Sequence, residues 1–357
     1  MRITFLSPTL NMGGGIKVIA IHANYLVSKG HDVLVASVPE QPPKFKKLVK
    51  NFLKGKYFYT KPPQSHFHNT SIKQLIIDKN RPILSGDLPD ADIIIATWWE
   101  TAEWLANIDD SKGKKVYFIQ GHEIFDFIPR QRAVATYQSK MHKIVISNWL
   151  KEIMQNEYAA EHVDIVYNGV DKQQFFYTER DKQTVPTLGF LVSTASLKGI
   201  DIAIKVVQQV KKNYPSLKVI TFGVGKLDSL EFNALNTDFH LLPTQSMIRE
   251  IYSSCDVWLS PSRSEGFNLT AIEAMSCGTP VVSTKTGWPV EAIISYENGV
   301  LADIDDVKAL TKGINWLLGE SNQSWQRVSI SAAKATDGYT WEKSSIQFEH
   351  TLISYID

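Results

Sequence analysis

Short apolar runs, each followed by a turn and a stretch of helical period, recur along this chain and leave it few folds to choose from. Ile3-Thr4-Phe5-Leu6 leads through Gly13-Gly14-Gly15 into a segment on which Ile16, Ile19, Ala20, Ala23, Leu26 and Val27 share a face. Gly30 ends that segment, and Val33-Leu34-Val35-Ala36 follows. The rhythm continues at Asp92-Ile93-Ile94-Ile95-Ala96, Val116-Tyr117-Phe118-Ile119 and Lys143-Ile144-Val145-Ile146-Ser147. Strands that are apolar on both faces need cover on both, which a parallel sheet between two helical layers provides. A second series opens after Asn168-Gly169-Val170-Asp171, with Thr187 to Val192, a helix from Ile200 to Asn213, Lys218 to Gly223, and strands around Val257 and Val281. The polar stretch from Lys172 to Thr184 separates the two series. We therefore expect an α/β protein of two doubly wound domains, and 357 residues suffice for two cores of about 100–200 residues each.

Open α/β sheets bind ligands beyond the carboxyl ends of their strands, so the loops named above are predicted to line a central cleft between the domains. The tail from Tyr339 to Leu352 reads as a helix with Trp341, Ser345, Phe348 and Leu352 on one face. A hydrophobic share of 43% with 21% charged residues fits a soluble globular protein. The N-terminal run is too short for a secretory signal and no stretch of about 18 apolar residues occurs, so the expected location is cytoplasmic. Cys255 and Cys277 lack the paired spacing of a zinc site and read as buried small residues.

Glu265 and Glu273 stand out among the charged residues. They lie in Ser264-Glu265-Gly266-Phe267-Asn268-Leu269-Thr270-Ala271-Ile272-Glu273-Ala274-Met275, one before a helix and one inside it. Gly266 lets the backbone approach a ligand, and Asn268 is a good N-cap for a helix from about Leu269 to Cys277. That helix start offers unpaired N–H groups and a positive dipole end, which suit a phosphate, while Glu273 one turn on suits hydroxyls. Gly13-Gly14-Gly15 could cradle a phosphate in the same way, although it lacks the G-x-G-x-x-G spacing and also reads as a plain tight turn. His122 follows a buried strand, with Glu123 and Asp126 near enough in sequence to orient it. Lys198 precedes Gly199 at a helix start. Gly223-Val224-Gly225-Lys226 is no P-loop, because the spacing is short and Leu227 stands where a Ser or Thr should be.

Seven lysines and no acid fall between Gln41 and Lys61, in a chain of net charge +1. Phe45, Leu48, Val49, Phe52 and Leu53 share a helical face there, with Lys46, Lys47, Lys50 and Lys54 around the rest. Such a cationic amphipathic helix suits an anionic membrane surface, at about 1 kcal/mol per lysine, or packs on its own domain with its lysines in water. No base-reading module accompanies it, so nucleic acid is not an expected partner.

The run Pro261 to Val282, with its two glutamates eight apart, closely resembles the Glu-x7-Glu segment of the retaining family 4 glycosyltransferases. The Gly-rich turn, the His122 loop, Asn168-Gly169-Val170-Asp171, Lys198-Gly199 and the tail helix resemble that family in the same order. The resemblance implies the GT-B fold, two Rossmann-like domains facing a central cleft. The first, acceptor-side domain would comprise residues 1–170 with a returning helix at 340–357, and the second, donor-binding domain residues 171–339. It implies transfer of a hexose or deoxyhexose, with retention, from a nucleotide-diphosphate sugar to a glycan or lipid-linked glycan of a cell-surface polysaccharide or glycolipid. His122, Glu265 and Lys198 would be catalytic. Gly14, Gly15, Gly266, Phe267, Asn268, Leu269, Thr270 and Glu273 would bind the donor, with Glu273 on the ribose. The implied chemistry needs no metal and no cofactor, and no Asp-x-Asp constellation stands in a suitable loop. If the lysine-rich helix binds membrane, the protein sits at the inner membrane face. One departure is that Leu191-Val192-Ser193 replaces the family's Gly-Arg-Leu, so the expected arginine is absent; Arg263 is a candidate second cation but reads more readily as a plain surface arginine. An epimerase of the same fold and a non-catalytic nucleotide-sugar-binding protein remain as alternatives.

Overall fold

The computed structural model describes residues 1–40, 65–68, 70–125, 128–225, 227 and 229–356. The lysine-rich segment with Lys46, Lys47, Lys50 and Lys54 lies outside the described residues, as do Asp126 and Lys226. The chain divides into two compact units, one of Met1–Val145, Ile153–Val166 and Ser345–Asp357, the other of Ile146–Glu152 and Tyr167–Ser344.

In the first unit β1 (Arg2–Ser7), β2 (Asp32–Ser37), β3 (Lys73–Ile76), β4 (Ile93–Ala96), β5 (Lys114–Ile119), β6 (His142–Val145) and β7 (Val163–Ile165) form a parallel sheet. Its order is β3-β2-β1-β4-β5-β6-β7. Helices α1 (Gly14–Ser28), α2 (Trp99–Ala106), α3 (Arg130–Tyr137) and α4 (Asn148–Tyr158) follow β1, β4, β5 and β6. The sheet is apolar on both faces, as parallel crossovers require: Phe5 and Ile95 are paired in register and both wholly buried. On α1 the buried face is Ile16, Val18, Ile19, Ala20, His22, Ala23 and Leu26, so a histidine joins the expected apolar set and Val27 sits at its margin.

The second unit repeats the plan. Its strands β8 (Thr187–Val192), β9 (Lys218–Gly223), β10 (Asp238–Leu241), β11 (Val257–Ser260), β12 (Val281–Thr284) and β13 (Gly299–Ala302) are all parallel, in the order β10-β9-β8-β11-β12-β13. The helices are α5 (Ile200–Asn213), α6 (Leu230–Asn233), α7 (Gln245–Ser253), α8 (Leu269–Ser276), α9 (Pro289–Ala292), α10 (Val307–Gly319) and α11 (Asn322–Lys334). Phe190, Val206, Val207, Val257, Leu259, Val282, Ile314 and Leu317 form its core. Cys255 and Cys277 are buried free thiols, and burial pushes the Cys277 thiol up to about 12, so neither is a nucleophile at neutral pH.

The last helix, α12 (Trp341–Ile356), contributes its residues from Ser345 onward to the first unit. Phe348 stacks on His22 with ring centres 4.4 Å apart and meets the edge of Phe118 at 5.0 Å. Burial lowers the His22 pKa to about 3, so the ring packs neutral. At the helix start, Gly169 has no space for a side chain, because a Cβ there would lie 2.2 Å from the Trp341 nitrogen.

Both sheets reverse direction about their first strand, between β1 and β4 and between β8 and β11. In doubly wound folds the carboxyl side of that switch point is where ligands sit.

Candidate active site

The switch point of the second unit gathers most of the residues singled out in the sequence. The segment after β8 forms one turn of tight helix, Ser196–Lys198, and reverses at Gly199 in the left-handed region (φ +64°) before α5. A Cβ at Gly199 would lie 2.1 Å from the Pro261 carbonyl oxygen, so only glycine lets this turn meet the segment after β11. The Arg263 N–H donates to the Leu197 carbonyl at 2.7 Å and tightens the same contact.

Across that junction Lys198 Nζ donates to both oxygens of Glu265, at 2.7 and 2.9 Å. Ser262 Oγ donates to Glu265 Oε1 at 2.7 Å. Glu265 is therefore held by three hydrogen bonds, which places a carboxylate, an ammonium and a hydroxyl together at the ends of β8 and β11. Arg263 does not join them. Its guanidinium is bidentate to Asp201 at 2.9 and 2.7 Å, reaches Asp305 at 2.7 Å and donates to the Ser196 carbonyl at 2.9 Å. Two carboxylates already neutralise it, so it is a brace for the Lys198 turn rather than a second cation.

Asn268 caps α8 as expected, from a left-handed backbone (φ +79°) that asparagine tolerates. Its Oδ1 accepts from Ala271 N–H at 3.3 Å and from Thr270 Oγ1 at 3.0 Å, while its amide donates to Ser260 Oγ at 2.7 Å. The helix runs from Leu269 to Ser276, and Gly278 turns left-handed beyond it (φ +75°). Glu273 accepts from the Tyr252 hydroxyl at 3.0 Å. Tyr252 is fully buried among Trp258, Phe222 and Phe175, and burial together with the Glu273 charge raises its pKa well above the usual phenol value. It is thus a permanent donor to Glu273, and nothing in the sequence marked it. Gly223 closes β9, where a Cβ would fall 2.3 Å from the Val192 carbonyl oxygen, so close packing explains it.

In the first unit, Gly14 and Gly15 are exposed at the start of α1, beyond the carboxyl end of β1. Gly13 N–H donates to Asn11 Oδ1 at 2.7 Å, which shapes the turn. His122 lies just past β5 and is half-buried, with Nε2 2.7 Å from the Tyr158 hydroxyl. Desolvation lowers its pKa, so the ring is neutral at pH 7.

Its orienting partner is therefore Tyr158, which reaches it from α4, and not Glu123. The Glu123 side chain turns inward, accepting from Trp99 N–H at 2.7 Å and Tyr117 OH at 3.3 Å. It is buried there and its pKa rises to about 8. The alternation of side chains after a strand end accounts for this, since consecutive residues point to opposite sides.

Residues 171–334 match the family model of the glycosyl transferases group 1. That segment is similar to the group 1 glycosyltransferases and coincides with most of the second series of strands and helices. An uncharacterized glycosyltransferase of Methanocaldococcus jannaschii is 27% identical over 204 residues, 56% of this chain and 56% of that protein. An uncharacterized glycosyltransferase of Haemophilus influenzae is 22% identical over 365 residues, 96% of this chain and 97% of that one. The chain thus spans about half the length of the first relative and nearly all of the second. Among solved structures, Anabaena HepE in complex with UDP-glucose superposes with a TM-score of 0.73 at 20% identity, covering 99% of this chain and 100% of that one. At that identity the likeness speaks for fold, and the fold is GT-B, with two Rossmann-like parallel-sheet domains.

Proposed function

We propose that the protein is a retaining glycosyltransferase of the family 4 type, moving a hexosyl or deoxyhexosyl group from a nucleotide-diphosphate sugar to a hydroxyl of a glycan acceptor. The observation that carries this reading is the Lys198–Glu265–Ser262 cluster at the carboxyl ends of β8 and β11, one turn from the capped start of α8. A diphosphate needs positive charge and oriented N–H groups, and Lys198 with the backbone of Gly266 to Leu269 offers both. Glu265 accepts hydrogen bonds from donor-sugar hydroxyls, and Glu273, steadied by Tyr252, accepts from the ribose.

In the proposed step the bond from the sugar's anomeric carbon to the leaving phosphate oxygen breaks. A bond to the acceptor oxygen forms on the same face, and the acceptor's proton passes to the departing phosphate. Catalysis is then a matter of positioning and electrostatics, with Lys198 offsetting the charge that grows on the diphosphate. Two carboxylates near a glycosidic reaction invite an acid–base reading, but Glu265 is already paired with the Lys198 ammonium and Ser262 and Glu273 accepts from Tyr252, which casts both as acceptors while leaving lone pairs for ligand hydroxyls. In this reading His122 contacts the donor sugar as a neutral imidazole and Gly14 and Gly15 approach the donor phosphates, while no metal takes part.

The test is a panel of nucleotide sugars offered to purified protein with a chelator present. Slow release of nucleoside diphosphate is expected with one of them, and Glu273→Ala is expected to raise its KM at least tenfold while the protein stays folded. Isomerised donor would replace the reading with an epimerase, and binding without turnover would replace it with a binding protein. An unaltered KM in Glu273→Ala would remove Glu273 from the site.

A further inference from the structure

The loop between β11 and α8 is gripped from outside by its carbonyl groups. Ser147, wholly buried just past β6, donates its hydroxyl proton to the Gly266 carbonyl at 2.8 Å and accepts from Leu150 N–H at 3.2 Å. The next carbonyl, that of Phe267, accepts from Trp288 N–H at 2.9 Å, and the Phe267 ring stacks on Trp288 with centres 5.8 Å apart. Gly287, left-handed at φ +62°, makes room for this, since a Cβ there would lie 3.0 Å from the Phe267 oxygen and 3.1 Å from the Glu265 oxygen. Beside Ser147, Glu291 accepts from Asn148 N–H and from the Tyr167 hydroxyl, both at 2.7 Å, and so fixes the backbone that carries the serine. Ile146–Glu152, Gly266 and Glu291 all belong to the second unit, although Ser147 lies 119 residues from Gly266.

A peptide group is planar, so a carbonyl held in one direction aims the N–H of the following residue in the opposite one. The bond from Ser147 therefore sets the direction of Phe267 N–H, and the bond from Trp288 sets that of Asn268 N–H. These are two of the N–H groups assigned above to the donor. We propose that Ser147 is a positioning residue for donor binding, acting through the Gly266–Phe267 peptide. The inference rests on the donor-binding reading of residues 266–269.

Steady-state turnover of UDP-glucose, or of the panel member that the wild-type protein turns over fastest, tests it in four variants. Ser147→Ala is expected to raise donor KM about tenfold with kcat within about threefold, because the lost bond orients groups that hold the donor in both ground and transition states. Ser147→Thr keeps the hydroxyl and is expected to recover most of that loss. Ser329→Ala removes the same kind of bond from the same unit, a buried serine hydroxyl donating to the Gly278 carbonyl, and is expected to leave KM unchanged. Equal KM in Ser147→Ala and wild type overturns the inference, as does an equal rise in Ser329→Ala, which would mark a general loss of packing. Should Ser147→Ala fail to fold, Ser147→Cys, with its weaker S–H donor, is read in its place against the same two outcomes. Glu273→Ala runs alongside. If it loses donor affinity while Ser147→Ala does not, only the positioning role falls; if it too is unchanged, the donor-site reading falls with it.

Discussion

At Lys198 the fold fixes a cation beside its carboxylate partner. Its ammonium is satisfied by Glu265, so the site does not leave an uncompensated charge beneath the end of the sheet. A donor that engages Glu265 through sugar hydroxyls and Lys198 through phosphate would replace one charge-assisted contact with two. Lys198→Ala is expected to lower kcat by roughly 10²- to 10³-fold, the usual effect of removing one electrostatic stabiliser of a leaving group. Thermal stability is expected to fall as well, since Glu265 is only 11% exposed and would lose its cation, so kcat is read well below the variant's melting temperature. A variant with normal kcat and raised KM would restrict Lys198 to ground-state binding. The sequence showed Lys198, Glu265 and Glu273 because each stands in a local pattern of glycine, cap and helix start. It did not show Tyr252, Ser147 or Tyr158, whose partners lie 21, 119 and 36 residues away. A tyrosine on an amphipathic helix, or a serine in the bend before one, carries no mark of which distant atom it will meet. The partners of Arg263 were equally unmarked, because the Ser196 and Leu197 carbonyls, Asp201 and Asp305 are acceptors that only the folded β8–β11 junction and the loop after β13 bring to it.

The elements divide in an orderly way between those legible in the sequence and those not. Among the described residues nine strands stood out as apolar runs, and the four that did not, β3, β7, β10 and β13, are the edges of the two sheets. An edge strand has one neighbour and a half-solvated face, so it needs no continuous apolar run; β3 reads Lys-Gln-Leu-Ile and β10 reads Asp-Phe-His-Leu. β13 is mostly buried but starts on a glycine, and β7 is three residues long. Turns were more readable where steric need is absolute. Gly30 and Gly199 are both left-handed, but a Cβ on Gly30 meets nothing within 4 Å, whereas on Gly199 it meets the Pro261 carbonyl. Gly30→Ala is therefore expected to cost about 1 kcal/mol, the backbone term alone. Gly199→Ala is expected to cost clearly more and also to raise donor KM, because the turn that carries Lys198 must move away from the segment that carries Glu265. Melting curves on both variants separate the two terms, and equal losses would mean that the Pro261 contact relaxes freely.

At the scale of the molecule, two buried titratable groups in the first unit pull its stability in opposite directions with pH. His22, pressed between Phe118 and Phe348, stays neutral down to about pH 3, while an unfolded histidine takes up a proton below about 6.5. Its contribution is complete above pH 6.5 and is lost as pH falls towards 3. Glu123, desolvated behind the His122 loop, keeps its proton up to about pH 8, while an unfolded glutamate loses it near 4.5. Its contribution is complete below pH 4.5 and is lost as pH rises through 8. Between 4.5 and 6.5 the two slopes oppose each other, and from 6.5 to 8 only that of Glu123 acts. Each pKa unit of difference corresponds to about 1.4 kcal/mol, so the second interval carries a loss on the order of 2 kcal/mol. Glu123→Gln keeps an oxygen acceptor for Trp99 N–H and cannot ionise. The stability difference between this variant and the wild-type protein, from denaturant unfolding at pH 5.5, 6.5, 7.5 and 8.5, should grow in favour of glutamine by that amount between 6.5 and 8 and then level off. Because both proteins share every other titrating group, including the buried Asp256 whose pKa desolvation also raises, the difference isolates position 123. A difference that stays constant with pH would mean that the Glu123 carboxyl ionises in the folded protein as readily as in the unfolded chain.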